Sequence, residues 1–285
     1  MTRLDKKIGF IGAGNMAEAM INGLIASGVC APERIWASDL RSARLTQLED
    51  AHGIHTTQSN NEVFNQADIV ILAVKPQHMD DVLQGLAQNL PQALTGVKLV
   101  ISIAAGFSIE TIEGHLYPPL DQDARGLLPI VRVMPNTPAL VMAGIAGMSG
   151  NALATSTERQ DARTILEAVG RVIEFEEKAL HAVTAISGSG PAYIFYFVEA
   201  FVETGMKLGL RPSQALTLTL ETLKGAVKLL EETQEAPAEL RKKVTSKGGT
   251  TEAALKVLEQ HQVKEHLKNA IHAAAERSVA LSRME

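Results

Sequence analysis

Apolar and polar positions give this chain two halves of different rhythm. In the first half, short mainly apolar runs recur at residues 7–11, 34–38, 69–74, 98–103 and 130–134, the one at 69–74 without a break. A run apolar at every position predicts a strand covered on both faces, as in a parallel sheet. Helical patterns separate the runs at residues 15–27, from Arg41 to about His52, and at 59–66, 78–89 and 108–116. Such alternation predicts βαβ units and an open, mostly parallel α/β sheet. From about residue 157 helix dominates, with one more short strand expected at Val172–Phe175. Residues 190–210, 213–233, 237–245, 250–260 and 262–283 all read as helices, broken by Arg211-Pro212, Ala236-Pro237 and Gly248-Gly249. The stretches Tyr193–Val198 and Ala215–Leu220 are apolar nearly all round, which predicts burial on several sides. A helical domain of residues 177–285 offers too little interior for them, so a partner chain is expected to cover part of it. A compact monomeric bundle is the alternative.

Composition narrows the class. A length of 285 residues accommodates two domains, placed at 1–176 and 177–285. The chain is 46% hydrophobic with few aromatics and a mean hydropathy of +0.05, as expected of a globular protein. A net charge of −5 and a pI near 5.9 give no reason to expect nucleic acid or a membrane surface as partner. The single cysteine, Cys30, excludes an intrachain disulfide and fits a reducing compartment. No apolar run reaches the roughly 20 residues that span a bilayer. Met1–Lys7 leads straight into the first strand, so no signal peptide is expected and a cytoplasmic protein is.

Candidate chemistry begins at the first strand, which runs into Gly12-Ala13-Gly14-Asn15-Met16-Ala17. Gly12 lets the backbone reverse, Gly14 carries no side chain to hold off a pyrophosphate, and Ala17 lets the following helix lie close on the strand. The helix N–H groups and dipole then face the phosphates. Gly-rich strand–helix turns also serve packing alone. The end of the second strand would choose between coenzymes. Asp39 sits where an acidic residue pairs with the ribose hydroxyls of NAD, while Arg41 and Arg44 offer guanidinium forks for the 2′-phosphate of NADP, and Ser38 offers a hydroxyl. These signals conflict, and the balance leans to NADP with NAD tolerated. A helix cap is the plainer reading of Asp39.

Further candidates stand at other strand ends, where open α/β sheets bind ligands. Ala73-Val74-Lys75-Pro76 ends one strand, with Lys75 able to meet phosphate, ribose or substrate. Ser102–Gly106 and Met134-Pro135-Asn136-Thr137-Pro138 end two more, and Asn136 is either a ligand for an amide or a turn former. In the helical half, Ser187-Gly188-Ser189-Gly190-Pro191-Ala192-Tyr193 predicts a helix break with Ser189 as N-cap. Val244–Glu252 contains a Gly-Gly turn into a helix that starts with two threonines, either a carboxylate cradle or a threonine-capped helix. No His/Cys cluster, HExxH or G-x-S-x-G motif is present, so neither a metal site nor a serine nucleophile is expected. The Arg241-Lys242-Lys243 run reads as a solvated helix face.

Taken together and in this order, these six motifs resemble the pyrroline-5-carboxylate reductase family over essentially the whole chain. The resemblance implies an N-terminal Rossmann domain and an all-α C-terminal domain that interlocks with a second subunit. It further implies a homodimer, a decamer as the larger ring, and active sites drawing on both chains. By position, Gly12, Ala13, Gly14, Asn15, Met16, Ala17, Ser38, Arg41, Asn60, Ala73, Val74, Lys75 and Pro76 would bind NADPH, with NADH as the other acceptable coenzyme. Ser246, Gly248, Gly249, Thr250 and Thr251 would hold the substrate carboxylate. The implied reaction is hydride transfer from nicotinamide to the imine carbon of 1-pyrroline-5-carboxylate, giving L-proline in the final step of proline biosynthesis. Thr251 and Lys75 are the implied catalytic residues, Thr251 beside the ring nitrogen and Lys75 near ribose or substrate. Lys247 departs from the family's usual Pro. Two rival readings are a β-hydroxyacid dehydrogenase-like oxidoreductase and a non-catalytic NADP-binding sensor. The first carries a catalytic Lys on the first long helix of its second domain, and residues 189–203 contain none.

Overall fold

The computed structural model describes residues 3–282. Eight strands form one sheet: β1 (Ile8–Ile11), β2 (Ile35–Ser38), β3 (His55–Thr57), β4 (Ile69–Leu72), β5 (Leu99–Ser102), β6 (Ile130–Met134), β7 (Gly144–Gly150) and β8 (Gly170–Glu174). Their spatial order is β3-β2-β1-β4-β5-β6-β7-β8. The first six are parallel, with β1 in the middle: Ile8 pairs with Ile35 on one side and Ile69 on the other. The fully apolar strands lie where that pattern predicts, and every residue of β1, β4 and β5 is buried.

The helices of this part are α1 (Asn15–Ala26), α2 (Ser42–His52), α3 (Asn60–Gln66), α4 (Met79–Ala87), α5 (Leu90–Ala93), α6 (Ile109–Leu116), α7 (Gln122–Gly126), α8 (Ser156–Glu167) and α9 (Leu180–Val183). They give the sheet a core on each face. Phe10, Met20, Leu24, Leu48 and Ile165 share one core, and Ile11, Phe64, Leu83, Phe107 and Ile112 share the other. Contact between sheet and helix is tight: a Cβ on Gly9 would stand 2.6 Å from Val63 Cγ1 and 2.8 Å from Ala67 Cβ.

Two strands were not foreseen. β3 is three residues long and half exposed, so it lacks an apolar signature. β7 runs antiparallel to β6, with Met134 opposite Gly147, and β8 runs parallel to β7. Glycine is a poor strand former, yet β7 carries three of them because its neighbours press on it. A Cβ on Gly147 would meet Val183 Cγ1 at 2.8 Å, and one on Gly150 would meet Arg159 Cζ at 2.9 Å.

The chain packs as two compact units, residues 1–189 with 274–285, and residues 190–273. The remaining helices are α10 (Gly190–Lys207), α11 (Pro212–Thr233), α12 (Pro237–Lys243), α13 (Thr250–Gln260) and α14 (Val263–Leu281). Within the second unit α10 and α11 pack closely, since a Cβ on Gly205 would lie 2.9 Å from Ala215 Cβ. Few of its side chains are covered. Tyr196 is 72% exposed and Leu208 80%, and Phe195, Phe201 and Leu218 are exposed as well. No helix among the described residues is long and apolar enough to cross a membrane.

Candidate active site

The carboxyl ends of the parallel strands meet along one edge of the sheet. The Gly12 N–H donates to Ser38 O (3.0 Å), the Ala73 N–H to Ile11 O (2.8 Å) and the Ile103 N–H to Leu72 O (3.1 Å), which sets β1, β2, β4 and β5 side by side there. Gly12 has φ +95°, and a Cβ on it would stand 2.8 Å from both Ala73 C and Val74 N. Backbone conformation and space both require glycine. Gly14 differs: its φ is −73°, it is the N-cap of α1 without a side-chain cap bond, and an added Cβ would meet nothing within 4 Å. The turn therefore holds open space in front of a helix N-terminus whose Asn15, Met16 and Ala17 N–H groups are not capped by the N-cap side chain. That is the cradle a pyrophosphate requires, and the residues present fit one.

At the end of β2 the side chains form a charged knot. Asp39 Oδ1 accepts from the Arg41 N–H (3.0 Å) and Arg41 Nε (2.9 Å), and Oδ2 from Arg41 Nη2 (3.1 Å) and the Ala13 N–H (3.3 Å). Burial alone would raise the Asp39 carboxyl, but the bonds from Arg41 and Ala13 outweigh it and hold the group below the usual carboxylate range. Asp39 is not the N-cap of α2, a position Arg41 holds. Arg44 is not the fork its position suggested. Its Nε donates to Ala13 O (2.7 Å) and its Nη2 to Glu18 Oε2 (2.7 Å), so it straps the glycine turn to α1 and α2. Ser38 is fully buried, and its Oγ donates to Asn60 Oδ1 (2.7 Å), leaving the Asn60 amide NH2 as that side chain's donor.

The ends of β4 and β6 are less alike than their sequences. Ala73 and Val74 are half-buried against the Gly12 turn, while Lys75 is exposed and starts a 3-10 turn at Pro76–His78. Both ends of the Asn136 amide are engaged within the chain. Its Nδ2 donates to Ser187 O (3.2 Å) and its Oδ1 accepts from the Ile145 N–H (2.9 Å). The expected helix break falls at Ser189, between a π turn over Thr184–Gly188, closed by the Ser189 N–H donating to Thr184 O (2.8 Å), and α10, which starts at Gly190 with Pro191 in its first turn. Ser189 has helical dihedrals, so it is no extended N-cap. The turn brings Gly188 onto the end of β6, where its Cβ would stand 2.6 Å from Met134 Cε.

In the second unit, Gly249 is the N-cap of α13, with no side-chain cap bond, so neither Thr250 nor Thr251 caps the helix. Both threonines sit in the first turn, Thr250 exposed and Thr251 half-buried. Gly248 adopts φ +74°, and its N–H is bound by Glu252 Oε2 (2.7 Å). The Gly249 N–H donates to Ser246 O (3.1 Å), and a Cβ on Gly249 would stand 2.6 Å from Ser246 Oγ. Ser246 to Thr251 thus fold into one tight turn presenting hydroxyls at a helix N-terminus. Lys247 is exposed on that turn.

A sheet containing the order 3-2-1-4-5-6, with a glycine turn from its central strand into a helix, defines a dinucleotide-binding protein of the Rossmann class. Residues 7–106 match the family model described as NADP oxidoreductase, coenzyme F420-dependent, and residues 177–281 match pyrroline-5-carboxylate reductase dimerisation. The pyrroline-5-carboxylate reductase of Pseudomonas aeruginosa is 41% identical over 97% of this chain and 97% of its own. Solved structures agree: the Coxiella burnetii enzyme has a TM-score of 0.86 at 39% identity, covering 98% of this chain and 99% of its own. The Plasmodium falciparum enzyme, solved with NADP bound, has a TM-score of 0.86 at 31% identity over the same shares of the two chains. The chain belongs to the pyrroline-5-carboxylate reductase family.

Proposed function

We infer that this chain reduces 1-pyrroline-5-carboxylate to L-proline with NADPH or NADH, closing proline biosynthesis. The observation that carries the reading is whole-length similarity to enzymes of that name, 36–41% identical across 97–98% of this chain. The coenzyme supplies the hydride when bound. Gly12 to Ala17 would cradle its pyrophosphate, Ser38, Arg41 and Asn60 its adenosine ribose, and Ala73, Val74, Lys75 and Pro76 the adjoining strand end. Ser246, Gly248, Gly249, Thr250 and Thr251 would receive the substrate carboxylate, supported by the uncapped N-terminus of α13. A protonated cyclic imine is already electrophilic, so the protein's work is orientation, with Thr251 hydrogen-bonding the ring nitrogen and Lys75 positioning ribose or substrate. The hydroxyacid dehydrogenase reading is disfavoured because the one lysine of α10, Lys207, lies at its last residue.

The exposed apolar side chains of α10 and α11 support a dimer in which residues 177–285 of two chains interlock, with five dimers as the larger ring. No nucleic-acid or membrane partner is proposed, and the compartment proposed is the cytoplasm. Oxidation of NADPH and NADH with 1-pyrroline-5-carboxylate, run beside a hydroxyacid with NADP, tests the activity. Turnover of the imine is expected, and its absence overturns the reading. Light scattering tests the assembly, and a monomer would overturn it.

A further inference from the structure

The loop that leaves β5, Ile103–Ser108, lies at the same sheet edge as the Gly12 turn, with β4 between β1 and β5. Ligands of open α/β sheets enter the crevice outside these strand ends, so the loop is a wall of that crevice. From Ile103 to Phe107 its side chains are apolar or absent, which suits the face of a nicotinamide ring. Its start is tied by the Ile103 N–H to Leu72 O, and its middle lies under the end of α14, where a Cβ on Gly106 would stand 3.5 Å from Leu281 Cβ. The far end is held from another part of the chain. Ser108, the N-cap of α6, accepts from the Thr111 N–H (3.0 Å). The Ile109 N–H donates instead to Glu177 Oε1 (2.7 Å), and the same oxygen accepts from Arg132 Nη1 (2.9 Å). Arg132 stands opposite Ser102 in the sheet with its side chain 6% exposed. A guanidinium buried so deeply holds its carboxylate firmly, since losing it leaves a charge out of water and unpaired. Glu177 is thereby fixed to the sheet, and the end of the loop is fixed to Glu177.

We propose that Glu177 is a positioning residue for hydride transfer: through the Ile109 N–H it fixes the Ile103–Ser108 loop, the wall that sets the nicotinamide ring against the imine. The inference rests on the reductase reading above and goes beyond it by giving the buried Arg132–Glu177 pair a task in the reaction. A misplacement of about 1 Å at the reacting carbons costs up to about a hundredfold in rate. Coenzyme affinity comes mainly from the glycine turn, so a loosened loop shows in the hydride step and not in binding.

Two substitutions separate the two bonds of Glu177. Glu177→Gln keeps the reach and an acceptor for the Ile109 N–H but removes the charge facing Arg132. Glu177→Asp keeps the charge but is one methylene shorter, so it follows the buried Arg132 and gives up Ile109. Three quantities are measured on the full chain: Tm, the NADPH Kd by fluorescence, and the single-turnover rate of NADPH oxidation at saturating 1-pyrroline-5-carboxylate. Tm is expected to stay within about 2 °C in Glu177→Asp and to fall by several degrees in Glu177→Gln. The rate is expected to run the other way, within about threefold of wild type in Glu177→Gln and about tenfold lower in Glu177→Asp. NADPH Kd is expected to stay within about twofold in both. A rate that follows Tm overturns the proposal and leaves Glu177 a structural partner of Arg132. So does an NADPH Kd that rises as much as the rate falls. Should Glu177→Gln not fold, Glu177→Asp decides alone, because a wild-type rate in it overturns the proposal. If the wild-type chain does not reduce the imine, the functional reading fails and this proposal with it; a normal wild type beside a normal Glu177→Asp overturns the proposal alone.

Discussion

Gly14→Ala separates folding from coenzyme binding. At this position the backbone is extended, with φ −73° and ψ −177°, and the new methyl meets no atom within 4 Å. Restricting the unfolded chain stabilises by about 0.4–1 kcal/mol. Alanine is a worse N-cap than glycine by about 0.5–1 kcal/mol, so the two effects nearly cancel. The expected change in Tm is within about 2 °C. The methyl does fill the space in front of the N-terminus of α1, and NADPH Kd is expected to rise at least about tenfold. Gly12→Ala is the contrasting variant. Its φ of +95° and the approach of Ala73 C and Val74 N to 2.8 Å leave no room for a side chain. Left-handed strain of about 1–2 kcal/mol plus the clash is expected to cost about 2–4 kcal/mol of stability, several degrees in Tm. Differential scanning fluorimetry and fluorescence titration with NADPH read both quantities on the same samples. A Gly14→Ala protein that binds NADPH normally would refute the cradle. One that melts many degrees lower would refute the open space drawn around it.

Three further outcomes are expected. Thr251→Ala should raise KM for the imine and lower kcat together, and normal kinetics would remove Thr251 from the reaction. Cys30 is 1% exposed and its thiol is pushed up to about 11, chiefly by burial, so Ellman's reagent should leave it unlabelled at pH 8 until the chain is denatured. Lys98 is buried over the Phe64 ring, donates to Ala67 O, and burial holds its pKa below the ordinary lysine value of 10.5. Between the depressed folded pKa and that ordinary value the unfolded chain binds the extra proton, so the contribution of Lys98 to stability rises with pH across that window and is flat on either side of it. Denaturant melts of wild type and Lys98→Met should show wild type gaining relative to the variant as pH rises from 8 toward 10, and a constant difference would refute the assignment.

What was legible in the sequence follows from where the physics is local. The runs at Ile69–Val74 and Leu99–Ile103 announce doubly covered strands because burial on both faces admits only apolar side chains. The Gly12–Ala17 turn is legible because a reversal and a close helix restrict residue type. β7 was not legible, because its glycines answer to Leu180, Val183 and Arg159, residues far along the chain whose approach no local pattern reports. For the same reason Arg44 looked like a ligand until its bonds to Ala13 and Glu18 were visible, and Asn136 looked available until Ser187 and Ile145 took both ends of its amide. The π turn at Thr184–Gly188 was hidden because serines and glycines are as common at helix breaks as in a widened turn.

The reversed pair β7 and β8 settles where the chain goes next, by a kind of parity. A path made only of parallel strands with crossover helices finishes every strand at the same edge, so each following helix travels away from it. One antiparallel step changes the sign. After β8 the chain comes down to the level of Arg132, where Glu177 Oε1 accepts from Arg132 Nη1 at 2.9 Å and from the Ile109 N–H at 2.7 Å. Arg132 stands opposite Ser102, the last residue of β5, so Glu177 already lies close to that edge, and the next helical segment ends there with Ser187 at Asn136 and Gly188 at Met134. A single change of strand direction thus returns residues 184–189 to the edge where β1, β2, β4 and β5 end.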